Sequence, residues 1–246
     1  MDFRDTSLIV TLFTKEYGKI KAIVKGVKKE GMFELAYFEV LNHLDIVFYE
    51  KKKTELHLLS ESYLINSMTG VRNSFQRISL AYYLVELIDV LYEPHQISHF
   101  VFDSLQKTLK QMEGDGYIFW VALLELQLLN ESGLMPRIDS CVKCSGSELQ
   151  DYFWSSKQGG LLCESCAKSS DGNYQVSKSV FDQLAKIKNL LTVSDYDGDP
   201  LEGCKDVSSF VTIEKLNRDF INYRLDRPLK SSSFIDGIQT FKAAHQ

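Results

Sequence analysis

Hydrophobic positions alternate with polar ones through the first sixty residues. The run SLIVTLFT, residues 7–14, is rich in strand formers. In GKIKAIVKG, residues 18–26, Ile20, Ala22 and Val24 fall on one side of an extended chain. Lys19, Lys21, Ile23 and Lys25 fall on the other. ELAYFEVL (34–41), LDIVFYE (44–50) and TELHLLSESYLI (54–65) follow, separated by turn-like or charged breaks. Five short strands in so little chain predict a small closed or partly closed barrel.

The period changes near residue 66. SFQRISLAYYLVELIDVLYE has helical spacing and stops at Pro94. SHFVFDSLQKTLKQMEG predicts a second helix ending at Gly114. YIFWVALLELQLLNESG predicts a third, apolar on nearly all sides and so the buried centre of a bundle, with Gly133 as its C-cap. After residue 172, SKSVFDQLAKIKNLL and VSSFVTIEKLNRDFINYRLDRP return to helical spacing around the acidic loop SDYDGDPLEG. The expected organisation is α+β and multi-domain. A barrel over residues 1–63 precedes a mainly helical domain, 64–138 and 173–246, which a cysteine-bearing module at 139–172 interrupts.

Composition narrows the class. Hydrophobic residues are 44% of the 246, enough to bury a core. The opening MDFRDTSLIVTLFTKEYG does not form a secretory signal, because its apolar run is short, broken by Thr11 and preceded by two aspartates. YIFWVALLELQLL contains Glu125 and Gln127 and is shorter than the roughly 20 residues of a membrane span. The expectation is a cytoplasmic protein without membrane association, where thiols stay reduced.

That expectation bears on CVKCSGSELQDYFWSSKQGGLLCESC. Cys141, Cys144, Cys163 and Cys166 form two C-x-x-C pairs separated by 18 residues, and they are four of the chain's five cysteines. A two-residue spacer lets a tight turn aim two thiolates at one ion, and two such turns complete a tetrahedron. All four positions are then sulfur, so no site remains for water or substrate, and one structural Zn2+ is the expected cofactor. The intervening DYFWSSKQGGLLC predicts a hairpin turning at Gly159-Gly160. A redox dithiol normally opens a helix after a strand in a thioredoxin-like unit, a context missing here. Cys204 stands alone and reads as a small buried apolar residue.

Charge adds a second candidate. The chain carries net −5, yet KEYGKIKAIVKGVKK, residues 15–29, has six lysines and one glutamate. Lys15, Lys19, Lys21, Lys25, Lys28 and Lys29 are the candidate phosphate contacts, with Lys51, Lys52 and Lys53 at a later hairpin. Tyr17, Phe33 and Tyr37 are near enough to stack bases. A cationic barrel face suits a nucleic-acid backbone. A solvated strand face with lysines guarding its edge explains the same charges. On charge alone both readings stand.

Other motifs fail. GVKKEGMF starts like a phosphate loop but has Met32 and Phe33 where lysine and hydroxyl are needed. His95 and His99 have i, i+4 spacing without an intervening H-E-x-x-H glutamate and read as surface histidines. Asp195, Asp197 and Asp199 lack the glycine and closing glutamate of a calcium loop. No nucleophile elbow or dinucleotide fingerprint is present. The chain is expected not to be an enzyme.

Together these residues resemble a known whole. DTSLIVTLFTKEYGKIKAIVKGVKK resembles the opening of the DNA repair and recombination mediator family RecO. GLMPRIDSCVKC resembles the segment entering its cysteine module, GGLLCESC the module's exit, and LDRPLKSSSF its C-terminal helix end. The order is the family's and spans nearly the whole chain, with VTLFTKEYGK and GGLLCESC the most specific stretches. The resemblance implies an N-terminal OB-fold, a helical domain and a zinc-finger-like insertion with four cysteine ligands. It implies a non-enzymatic bacterial protein, associated with the nucleoid during repair, that binds single- and double-stranded DNA and anneals complementary strands. The implied partners are RecR, the single-stranded DNA-binding protein with its acidic, hydrophobic tail, RecF and RecA. The metal role passes to Cys141, Cys144, Cys163 and Cys166. Some family members lack these cysteines, which makes the ion scaffold. The DNA role passes to the basic barrel stretch, with Arg72 and Arg77 at the first long helix as weaker candidates. Family members also have a strand segment before the part matching DFRDTSLIV, so the resemblance implies a barrel strand that these 246 residues do not include.

Overall fold

The computed structural model describes residues 7–26, 33–51, 54–147, 151–191, 207–225, 228–232 and 234–235. It divides into two compact units, Met1–Lys110 and Gln111–Gln246. The fold is mixed α+β, with an OB-like sheet in the first unit.

In the first unit β1 (Leu8–Thr14) and β2 (Gly18–Val24) form an antiparallel hairpin closed at Thr14↔Gly18. The Thr14 hydroxyl holds the turn, donating to the Gly18 carbonyl (2.9 Å) and accepting from the Tyr17 amide (3.1 Å). β3 (His43–Tyr49) and β4 (Leu56–Asn66) form a second hairpin, with a register break between Val47 and Phe48. The hairpins join through parallel pairing of β2 with β4, giving the order β1-β2-β4-β3. The alternation expected of β2 holds: Ile20, Ala22 and Val24 are buried. Val10, Ala22, Val24 and Leu59 form a core against which Leu8, Leu12, Phe38 and Ile46 pack.

One expected strand is not a strand. Residues 34–41 fall largely in a 3-10 helix, Phe33–Phe38. Leu35, Phe38 and Leu41 are three residues apart, which is the 3-10 period. Asn42 closes the segment, its side-chain amide donating to the carbonyls of Ala36 (2.9 Å) and Tyr37 (3.0 Å). The described sheet therefore has four strands where five were expected.

Three helices complete this unit: α1 (Thr69–Arg72), α2 (Phe75–Leu91) and α3 (His99–Gln111). Ser74 caps α2, its hydroxyl accepting from the Arg77 amide, and Ser98 caps α3 through the Val101 amide. The α2–α3 connection lies against β2, where the His95 amide donates to the Lys19 carbonyl (2.9 Å). The approach depends on Gly18, which has φ +64°; a Cβ there would sit 2.3 Å from the Gln96 carbonyl oxygen. Gly18→Ala is expected to cost about 2 kcal/mol, read as a lower urea midpoint at unchanged slope.

The second unit is built on α4 (Tyr117–Glu131) and α7 (Val207–Arg224). Every residue from Ile118 to Leu129 is buried, Glu125 and Gln127 included, as the helix's apolar character on nearly all sides predicts. Glu125 is paired across the helices: Asn217 donates to its carboxylate (3.1 Å) and to the Ala122 carbonyl (3.3 Å). On α7 a wholly buried Glu214–Arg218 pair closes at 2.7 Å. α4 ends at Gly133, φ +69°, with the Leu134 amide reaching back to the Leu129 carbonyl. Between α4 and α7 come β5 (Tyr152–Ser155), β6 (Gly160–Leu162), α5 (Glu164–Lys168), β7 (Tyr174–Val176) and α6 (Lys178–Lys188). Among the described residues no helix is long and apolar enough to cross a membrane.

Candidate metal centre and nucleic-acid interface

Two tight turns bring the cysteines together. In the first, the Ser145 amide donates to the Cys141 carbonyl and the Cys141 amide to the Gly146 carbonyl, both at 2.9 Å. In the second, Cys163 leaves β6 and opens α5, its carbonyl accepting from the Ala167 amide, so Cys166 lies on the helix's first turn. All four Sγ atoms lie within 4.8 Å of one another, and Cys144 and Cys163 are 3.8 Å apart. A tetrahedral ion with metal–sulfur bonds near 2.3 Å has sulfur–sulfur edges of about 3.8 Å. The four cysteines can hold a metal ion.

Electrostatics point the same way. The Cys163 thiol is lowered to about 6, first by its hydrogen bond with the Ser165 hydroxyl and then by Cys166. Cys166 is pushed up to about 12, chiefly by its hydrogen bond with Cys163. Burial raises Cys141, but backbone hydrogen bonds from Cys144, Cys163 and Lys143 outweigh it, and the net shift is downward. One sulfur thus gives up its proton while its neighbour keeps one. Four adjacent thiolates require a cation to offset their repulsion.

The module is fastened to the helices of its unit. Arg137 and Gly159–Leu161 form a short ladder: Arg137 N–H to the Gly159 carbonyl and Leu161 N–H to the Arg137 carbonyl, each 2.9 Å. Gly159 and Gly160 make the expected turn, with φ +98° and +144°. A Cβ on Gly160 would lie 2.1 Å from the Arg137 oxygen, and one on Gly159 2.6 Å from an Arg224 nitrogen. Arg224 also lies over the Phe220 ring, and Trp154 packs edge-on to Phe220 with centroids 6.0 Å apart. Tyr152 stacks on Phe181 of α6 at 4.2 Å, and Lys188 pairs with Asp139. The cysteine spacing predicted that these four side chains would meet but gave no sign of these contacts.

In the first unit the candidate cations separate into two groups. Lys21 is exposed on the outer face of β2, and Lys25 is exposed just past its end. Their neighbours form a cross-strand row, Ile9↔Ile23↔Leu58↔Tyr49, running over all four strands. Ile9 and Tyr49 are among the most exposed large apolar side chains. Lys15 instead bonds Asp103 at 2.7 and 3.0 Å. Lys19, only 15% exposed, reaches the Asp89 carbonyl (2.6 Å) and carboxylate (3.2 Å). Arg72 clamps the loop before β3, donating to the carbonyls of Ser67 and Val40 and the Asn42 amide oxygen, with Glu39 at 3.5 Å. Arg77 is half-buried on the first turn of α2. Lys28, Lys29, Lys52, Lys53, Cys204 and the Asp195–Asp199 loop lie outside the described residues.

Of the expected stacking residues, Tyr17 meets Phe48 edge-on at 5.0 Å, Tyr37 is half-buried, and the side chain of Phe33 is not described. Tyr49 was missed; it joins the basic row only through the β2·β4 pairing. His95 and His99 are exposed, and the His95 ring lies 5.6 Å from that of buried His57.

Comparison with known proteins matches both halves of this arrangement. Residues 1–68 match the family model for the Recombination protein O N terminal, and residues 72–233 match that for the Recombination protein O C terminal. The chain belongs to the RecO family. It is similar to the DNA repair protein RecO of Alkaliphilus metalliredigens, 28% identical over 92% of this chain and 89% of that one. The RecO of Syntrophus aciditrophicus is 26% identical over 97% of this chain and 92% of that one. The RecO of Syntrophomonas wolfei is 30% identical over 72% of this chain and 70% of that one. The N-terminal RecO match ends just after β4. The C-terminal match takes in α2, α3 and the cysteine module.

Proposed function

We propose that this chain is a non-enzymatic DNA repair and recombination mediator that binds single- and double-stranded DNA and anneals complementary strands. Membership of the RecO family carries the reading. The exposed Lys21 and Lys25 beside the Ile9–Tyr49 row support the sheet's outer face as the DNA contact, because phosphates and bases together ask for charge beside apolar surface. Lys28 and Lys29 belong to the same basic stretch and are assigned to it from sequence. Lys15, Lys19, Arg72 and Arg77 contribute through the local field. The ion at Cys141, Cys144, Cys163 and Cys166 is structural zinc, a choice supported by four sulfur donors and a closed shell. With RecR, and with RecF, the protein assists loading of RecA onto strands coated by single-stranded DNA-binding protein, in the bacterial cytoplasm.

A competing reading is a protein-interaction scaffold with little DNA affinity. The internal pairing of Lys15, Lys19 and Arg72 with acids favours it. Annealing of two complementary oligonucleotides, bare and coated, across a salt series separates the two. The mediator accelerates annealing on coated strands and loses that effect steeply with salt. No acceleration by folded, metal-loaded protein would leave the scaffold.

A further inference from the structure

The four clustered cysteines differ in what they share with solvent. Cys141 is fully buried and packs with Leu162 and Ala167. Cys163 and Cys166 are half-buried, and Cys144 alone of the four is exposed. Its exposure belongs to the whole turn, since Lys143, Ser145, Gly146 and Ser147 are exposed as well. The second turn is held more firmly. Cys163 opens α5, and the Cys166 carbonyl accepts from the hydroxyls of Ser169 (3.0 Å) and Ser170 (2.8 Å).

The susceptibility of a cysteine to oxidation follows its thiolate character and its exposure. As metal ligands all four cysteines are thiolates, so exposure decides between them, and an oxidant from solvent meets Cys144 first. A partner is already in place, because the Cys163 Sγ lies 3.8 Å from the Cys144 Sγ. A disulfide needs about 2.05 Å, and the exposed turn at Cys144 can close that gap while Cys163 stays on its helix. Cys141 is the poorer partner, because its sulfur would have to leave the packed site beside Leu162.

We propose that Cys144 and Cys163 form a peroxide-sensitive pair, which makes the module a reversible redox site as well as a scaffold. The Cys144 thiolate attacks one oxygen of hydrogen peroxide, the O–O bond breaks and hydroxide leaves, giving a sulfenic acid. The Cys163 thiolate attacks that sulfur, the S–O bond breaks and a second hydroxide leaves. One peroxide is thereby reduced to two hydroxides, which take protons from solvent, and two thiolates are oxidised to one disulfide. Cys141 and Cys166 alone cannot close a tetrahedron, so the cluster gives up its ion. A dithiol reductant restores all four ligands. Release loosens Trp154 from Phe220, and so the end of α7 registers the oxidation. The inference rests on the reading that the cluster holds a metal and is independent of DNA binding.

The test treats the full chain, loaded with one zinc ion, with hydrogen peroxide and follows zinc release with a chromophoric chelator. One ion is expected to leave per disulfide formed, with peptide mapping joining Cys144 to Cys163. Dimedone present during oxidation is expected to label Cys144. Dithiothreitol followed by zinc is expected to restore full loading. Cys144→His keeps four ligands but removes the attacked thiol, and is expected to slow release about tenfold or more. Mapping uses the native chain, so it decides the matter even where that variant does not fold. A disulfide within either C-x-x-C turn or to Cys204 overturns the proposal, as does zinc retained through the treatment or release that the reductant does not reverse. A folded chain that binds no zinc overturns the metal reading and the proposal together, whereas a loaded chain with the wrong disulfide overturns the proposal alone.

Discussion

Replacing Cys163 with serine is expected to abolish tight metal binding and to melt the segment from Arg137 to Val176. The loss is on the order of 10 kcal/mol in apparent local stability. Cys163 is the ligand to change because it joins the two halves of the cluster, 3.8 Å from Cys144 and hydrogen-bonded with Cys166. The effect should spread into α7. Trp154 is buried against Phe220, and Arg224 lies over the Gly159 turn, so loss of the module exposes the end of that helix. Trp154 fluorescence in a Trp120→Phe background should shift red on metal removal and return on readdition. Binding must also strengthen with pH. Cys166 holds a proton up to about 12 unless a cation displaces it, so binding releases protons and acid favours the free thiols. Chelator resistance should fall as pH is lowered from 8 toward 5. A Cys163→Ser protein that retains one metal per chain, or keeps the native Trp154 spectrum without metal, would contradict this account.

The module also shows what sequence can and cannot disclose. Cysteine spacing is a local property, since two residues between cysteines fix a turn whatever surrounds it, and so the cluster of four was legible. The hairpin at Gly159-Gly160 was legible for the same reason. Its tight fit against Arg137 and Arg224 was not, because Arg224 lies 64 residues beyond Gly160 and nothing in its helical neighbourhood marks it. By its spacing the module reads as a small excursion in which metal substitutes for a core. In the fold Leu162 packs with Cys141 and Ala167 in a small core of the module's own, while Trp154 is fully buried against Phe220 of α7.

The sheet divides similarly. Alternation placed Ile20, Ala22 and Val24 inward, because a strand's two faces are written in consecutive residues. Residues 34–41 were read as a strand, and the three-residue spacing of the apolar positions 35, 38 and 41 takes on its meaning only once Asn42 is seen to cap the segment. The parallel β2·β4 contact is non-local and carries no turn signal, so the Ile9–Tyr49 row could not be foreseen. Nor could the division among the lysines. Lys19 and Lys15 find their acids 70 and 88 residues away.

That division gives the second large effect. Lys21→Glu with Lys25→Glu is expected to weaken binding of single-stranded DNA about a hundredfold near physiological salt, equally for all sequences. Both side chains are exposed, Lys21 on β2 and Lys25 just past its end, and neither belongs to an ion pair among the described residues. Removing two phosphate contacts should also flatten the dependence of log affinity on log salt by roughly 1.4. Lys15→Ala is the informative control. Lys15 is committed to Asp103 and half-exposed, so its loss should leave the salt slope nearly unchanged and cost under about 1 kcal/mol of stability. If instead Lys15→Ala flattens the slope as much as the double reversal, the lysine opens from Asp103 on binding and the contact extends around the β1–β2 turn. If neither changes affinity while the melting curves remain native, the outer face is not the DNA contact. The charge on β2 then serves to keep an exposed strand face in solution.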